Sequence, residues 1–137
     1  MVRRIVTSVS VCRMSLESPY KGKTGLRRIL NALVYSLDGL CAAFRHEDAF
    51  RQEVMLALVL VPLALASQTS AVGKALMIMS VLLVLIVELV NSGIEAVTDR
   101  VSLENHALAK RAKDLGSAAV MVALASVPVI WAVVLLG

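Results

Sequence analysis

Leu85-Ile-Val-Glu-Leu-Val-Asn-Ser-Gly-Ile-Glu-Ala-Val-Thr-Asp-Arg100 decides how the rest of the chain is read. It continues an apolar run from Ala75 that is long enough to cross a bilayer, yet it carries Glu88, Asn91, Glu95 and Asp99. At about 100° per residue these four fall at roughly 0°, 300°, 340° and 20° around a helix axis. They share one face about 80° wide, with Ser92 at its edge. A charged residue at the centre of a membrane helix costs roughly 2.5–3.5 kcal/mol unless it faces a cavity, a partner or a metal. Four polar residues on one stripe therefore read as a site.

Working outward, the 137 residues are 58% hydrophobic and 18% charged, enough for one small domain. Apolar stretches predict membrane spans at about 49–67, 74–97 and 115–136, with Pro62 inside the first and Pro128 inside the third as the expected kink. They are apolar nearly all round, whereas the helices of a soluble bundle would alternate faces. The fold class is an all-α membrane protein. Lys and Arg set its orientation. Of 14 such residues, Arg3, Arg4, Arg13, Lys21, Lys23, Arg27, Arg28, Arg45 and Arg51 precede or open the first span. Arg100, Lys110, Arg111 and Lys113 lie between the second and third, and Lys74 alone lies between the first and second. Positive loops stay in the cytoplasm, so the N-terminus is expected inside and the C-terminus outside.

Residues 1–23 read as a disordered extension, and 24–137 as a single integral-membrane domain. From Leu26 to about residue 45, Leu26, Ile29, Leu30, Leu33, Leu37, Leu40, Cys41 and Phe44 recur at helical spacing among basic and polar residues. This predicts an amphipathic helix lying in the membrane interface. Cys12 and Cys41 fall on the cytoplasmic side, where no disulfide is expected. With no CxxC and only His46 and His106, zinc is not expected. The net charge of +4 is explained by topology and anionic headgroups, and no nucleic acid partner is expected.

At the depth of the cytoplasmic interface the chain places Glu47 and Glu53, Glu95 and Asp99, and Lys113 and Asp114. Hard oxygen ligands of this kind suit Mg²⁺, which takes one or two carboxylates and completes its shell with water and phosphate. Lys113 suits phosphate oxygens as a point charge. Glu88 lies about 10 Å deeper than Glu95, behind seven apolar residues from Val81 to Val87, and is placed to act as a general base toward a lipid hydroxyl. No P-loop or protein-kinase motif is present. On residue types alone, phosphoryl transfer and a cation or proton path both stay open. Bland readings stand beside the sharp ones: Asn91 and Ser92 as interhelical glue, Asp99-Arg100 as an exposed ion pair, Trp131 as part of the aromatic belt.

Three blocks narrow the choice. Glu47-Asp-Ala-Phe-Arg-Gln-Glu53, Val87-Glu-Leu-Val-Asn-Ser-Gly-Ile-Glu-Ala-Val-Thr-Asp-Arg100 and Ala109-Lys-Arg-Ala-Lys-Asp-Leu-Gly-Ser-Ala-Ala119 resemble the signature blocks of the prokaryotic diacylglycerol kinases. The resemblance spans about residues 26–137. It implies a homotrimeric helical bundle of three-span subunits in the bacterial inner membrane, with sites between subunits. It also implies transfer of the γ-phosphate of MgATP to diacylglycerol. Carried over by position, Glu88 resembles the catalytic base, and Glu47 and Glu95 the metal-bridging carboxylates. ATP contacts would be Arg28, Tyr35, Glu47, Glu95, Glu104, Asn105, His106, Lys113 and Asp114. Lipid contacts would be Glu53, Glu88, Asn91, Ser117 and Trp131. Leu37-Asp38 and Cys41 depart from the family pattern in the interfacial helix. A kinase of undecaprenol, from a related branch, and an oligomeric ion or proton conductor are the alternatives.

Overall fold

The computed structural model describes residues 26–101 and 107–137. The described residues hold four α-helices and no strand: α1 (Leu26–His46), α2 (Asp48–Ala66), α3 (Ala71–Val101) and α4 (Ala107–Leu136). The extension at 1–23 and the stretch Glu104, Asn105 and His106 lie outside them. The chain divides into a unit containing α1 and a second unit that begins at Glu47 and holds α2–α4.

In α1 the apolar residues Ile29, Leu30, Leu33, Leu37, Leu40 and Phe44 are exposed and repeat at three- and four-residue spacing. Arg45 lies in the last turn of the helix, where a cation complements the negative end of its dipole.

In the second unit α3 is the central helix, packed on α2 along one flank and on α4 along the other. All three are long and apolar enough to cross a membrane. Their inner faces follow from helical spacing. On α3, Met77, Ser80, Val81, Val84, Glu88 and Asn91 are buried, one continuous stripe at three- and four-residue steps. On α2 the matching stripe is Phe50, Glu53, Ala57 and Ala64. The buried positions of α4 are Gly116 and Ala123. Small residues at these contacts let the backbones approach closely, which is how helices associate in a lipid environment. The outward Leu, Val, Ile and Met side chains remain exposed on all three helices, as a lipid-facing surface requires.

Helix ends extend past the expected spans. α3 begins three residues before the expected span, at Ala71, and α4 eight residues before, where Lys110, Arg111, Lys113 and Asp114 continue the helical hydrogen bonding beyond the apolar core. Between α2 and α3 only residues 67–70 intervene. Ser67 Oγ donates to the Ala64 carbonyl at 2.7 Å, and Lys74 Nζ to the Leu65 carbonyl at 2.9 Å, satisfying acceptors that the end of α2 leaves open. Ser70 opens α3, its hydroxyl accepting from the Gly73 N–H at 3.1 Å. Helices α2 and α4 continue through Pro62 and Pro128.

Met77 is fully buried in the first third of α3. Replacing it with alanine should destabilise the bundle by about 2–5 kcal/mol, the cost of a buried thioether chain and the cavity it leaves. The midpoint of SDS-induced unfolding, followed by circular dichroism, measures this. An unchanged midpoint would mean that α3 is not packed here as described.

Candidate functional site

The polar stripe of α3 is built on the same inner face as the apolar core, so the register that buries Met77, Val81 and Val84 also turns Glu88 inward. Glu88 is 4% exposed and Asn91 8%. Glu95 is half-buried and Asp99 exposed, so the stripe runs from the interior to the helix's polar end. Asn91 Nδ2 donates to Glu95 Oε1 at 3.3 Å, tying the middle of the stripe to its upper part.

Glu53 enters from α2. It lies on the face that contains Phe50 and Ala57 and is 9% exposed. Its charge and that of Glu88 act on each other. Beside Glu53 a cavity of about 130 Å³ is lined by Leu56 and Leu60 of α2, Val81 and Val84 of α3, and Leu124, Val127 and Pro128 of α4. Glu53 is the one carboxylate in an otherwise apolar lining.

Glu47 stands immediately before α2 as its N-cap residue, with extended backbone and no side-chain capping bond. The first turn is served instead by Asp48, which pairs with Arg51. The Glu47 carboxylate is thus not spent on its own helix. Its charge and that of Glu95 both act on Glu88 within the single chain. Like charges within electrostatic reach of one another repel, and a divalent cation relieves such repulsion.

From α4, Lys113 forms an ion pair with Asp99 of α3 and lies within electrostatic reach of Glu95. This replaces the Asp99-Arg100 pair considered from sequence: adjacent helical residues point in different directions, whereas α4 brings Lys113 across. Asp114 and Ser117 are exposed on α4, and Trp131 is half-buried near its far end. Arg28 is exposed and Tyr35 half-buried on α1, in the other unit.

Among the described residues the buried side-chain atoms without a hydrogen-bond partner are Glu53 Oε2, Asn91 Oδ1, Ser92 Oγ and Trp131 Nε1. Three of the four residues belong to the polar stripe or its α2 counterpart. Unpaired buried polar atoms are costly in a core and ordinary in a site awaiting substrate. No group of three or more His, Cys, Asp or Glu able to hold an ion is found among the described residues. Glu47 and Glu95 are nonetheless a suitable donor set for Mg²⁺, which needs only one or two protein carboxylates when phosphates supply the remaining oxygens.

The sequence offers Gly116, with Ser117, Ala118 and Ala119, as a small-residue surface where another helix can approach closely. Gly116 was legible only as one of that run, yet it lies directly against Asn91. No single-helix pattern carries that information, because it depends on how α3 and α4 are aligned.

Comparison with known proteins identifies the family. The family model for prokaryotic diacylglycerol kinase matches residues 34–135. A diacylglycerol kinase of Pseudomonas aeruginosa is 61% identical over 120 residues, covering 88% of this chain and 98% of that protein. The diacylglycerol kinase of Escherichia coli K12 is 47% identical over 112 residues, covering 82% and 92% respectively. One from Helicobacter pylori 26695 is 44% identical over 115 residues, covering 84% and 89%. With its membrane helices, its inward carboxylate stripe and its matched length, the chain belongs to the prokaryotic diacylglycerol kinase family.

Proposed function

We propose that this protein is an ATP-dependent lipid kinase of the bacterial inner membrane that phosphorylates 1,2-diacylglycerol to phosphatidic acid. The observation that carries the reading is the inward stripe itself: a buried Glu88 with Glu95 and Glu47 in electrostatic reach, on a family-matched scaffold. In this reading the diacylglycerol hydroxyl loses its proton to Glu88 as its oxygen forms a bond to the γ-phosphorus. The bond between that phosphorus and the β,γ-bridging oxygen breaks, and ADP leaves. Glu88 later returns the proton to water.

Glu47 and Glu95 would hold Mg²⁺, which when bound neutralises charge on the transferring phosphate. Lys113 adds a fixed positive charge beside them, with Asp99 orienting its ammonium. Glu53 and the adjoining apolar cavity suit the glycerol end and first acyl carbons of a lipid, a polar group followed by hydrocarbon. Asp114, with Arg28, Tyr35 and the 104–106 stretch, would contact the nucleotide. Ser117 and Trp131 complete the proposed lipid contacts.

The lipid specificity is tested by offering diacylglycerol and undecaprenol in parallel with γ-labelled ATP in mixed micelles. Label should enter phosphatidic acid, and label confined to undecaprenyl phosphate would assign the chain to the other branch. The cytoplasmic N-terminus follows from the distribution of Lys and Arg.

The protein is expected to work as a homotrimer. Only 6% of the apolar window of α4 is buried within one chain, which leaves most of that helix for lipid or neighbouring subunits. The electrostatic reach of Glu47 and Glu95 to Glu88 within one chain favours these three acting together in one subunit, with a neighbour closing the site around them. Mixing inactive Glu88→Gln subunits with inactive Glu47→Ala subunits should then restore no activity. Recovered activity in demonstrably mixed trimers would show that base and metal ligand come from different subunits.

A further inference from the structure

Asn91 is gripped from two sides. Its Nδ2 donates to Glu95 Oε1 at 3.3 Å, and its buried Oδ1 has no partner. That oxygen occupies the space left by Gly116 on α4. A Cβ added at Gly116 would overlap Asn91 Oδ1 and lie 3.2 Å from Asn91 Cγ and 3.8 Å from Asn91 Cβ, its three nearest neighbours. The side chain in its way is thus Asn91. Backbone is not among those neighbours, so a methyl group at 116 displaces the amide rather than the helix.

Asn91 lies three residues after Glu88 and four before Glu95, the steps that stack side chains on one helical face. Displacing its amide breaks the bond that braces Glu95 and moves the polar group between the two carboxylates.

We propose that Gly116 is a positioning residue: its missing side chain seats the Asn91 amide, which holds the Glu95 carboxylate in place. The proposal deepens the kinase reading and rests on it for the role of Glu95. It requires α3 and α4 to meet at this register, which explains why a glycine stands two residues after Asp114 on a helix where glycine is otherwise unfavourable.

The test is a double-mutant cycle of Gly116→Ala, Asn91→Ala and the pair, with Gly93→Ala as a control. Gly93 has nothing within 4 Å of an added Cβ, so its substitution should change neither binding nor turnover. Two readouts are taken: Mn²⁺ binding by electron paramagnetic resonance with a non-hydrolysable ATP analogue, and the separate kcat and KM for MgATP. Gly116→Ala should weaken Mn²⁺ binding and raise KM for MgATP by roughly tenfold or more, the scale of one lost hydrogen bond to a carboxylate. Asn91→Ala should do the same. The double variant should be no worse than Asn91→Ala, because the added methyl then meets no amide.

Unchanged binding and KM in Gly116→Ala, or losses that multiply in the double variant, would overturn the proposal. If Gly116→Ala fails to assemble, assembly of the double variant supports the proposal and its failure overturns it. Should the wild type bind Mn²⁺ yet transfer no label to lipid, the kinase reading falls, and the binding cycle alone still decides the role of Gly116.

Discussion

Glu88→Gln should lower the rate of lipid phosphorylation by on the order of 10²–10⁴-fold, the contribution of a general base. The amide keeps the shape of the carboxylate and its place on the buried face of α3, between Val84 and Asn91. It cannot accept the proton of a lipid hydroxyl. Nucleotide binding, thermal stability and trimer assembly should survive, since removing a buried charge relieves repulsion from Glu47 and Glu95 rather than breaking a pair. The measurement is steady-state turnover in mixed micelles alongside nucleotide binding by fluorescence. Turnover close to wild type would remove Glu88 as the base. Loss of nucleotide binding together with turnover would make its role structural.

Glu47→Ala and Glu95→Ala should each reduce kcat/KM for MgATP by roughly 10²-fold or more, the scale seen when a group that binds the reacting phosphate is lost. The two positions come from different helices but act on the same buried glutamate. If they hold one ion, the first loss removes most of what the second could remove, so the double variant should be little worse than either single one. Losses that multiply would show that the two carboxylates do not share a metal. The Mn²⁺ signal provides a second measure, and it should disappear in both single variants.

Much of the site was legible in one helix. The positions of Glu88, Asn91, Glu95 and Asp99 on one face needed only the 100° step, and the same step puts Met77, Val81 and Val84 beneath them. The lipid-facing character of the helices was also legible, because apolar residues all round leave no soluble alternative. What depends on pairing between helices was not. The Lys113–Asp99 ion pair replaced one between neighbours in sequence, since spacing along α3 says nothing about which α4 residue stands opposite. Glu53 was singled out for its depth and by the family resemblance. Its place on a buried face with Phe50 and Ala57, bordering an apolar cavity, emerges from the packing of three helices. Gly116 is the clearest case, because a glycine carries no periodic signal and its meaning comes from the side chain packed against it.

The helices also run past the expected apolar spans. Hydropathy marks where lipid begins and ends, whereas α3 and α4 continue as helices through residues that are polar.

The central claim is that the inward stripe of α3 serves phosphate transfer and not ion passage. The most direct test reconstitutes the purified protein in vesicles with diacylglycerol, γ-labelled ATP and Mg²⁺, with a pH-sensitive dye trapped inside. The account predicts labelled phosphatidic acid in the wild type, loss of that label in Glu88→Gln, and no dissipation of a pH gradient when ATP is withheld. Dissipation of the gradient without ATP, with no label entering lipid, would contradict it.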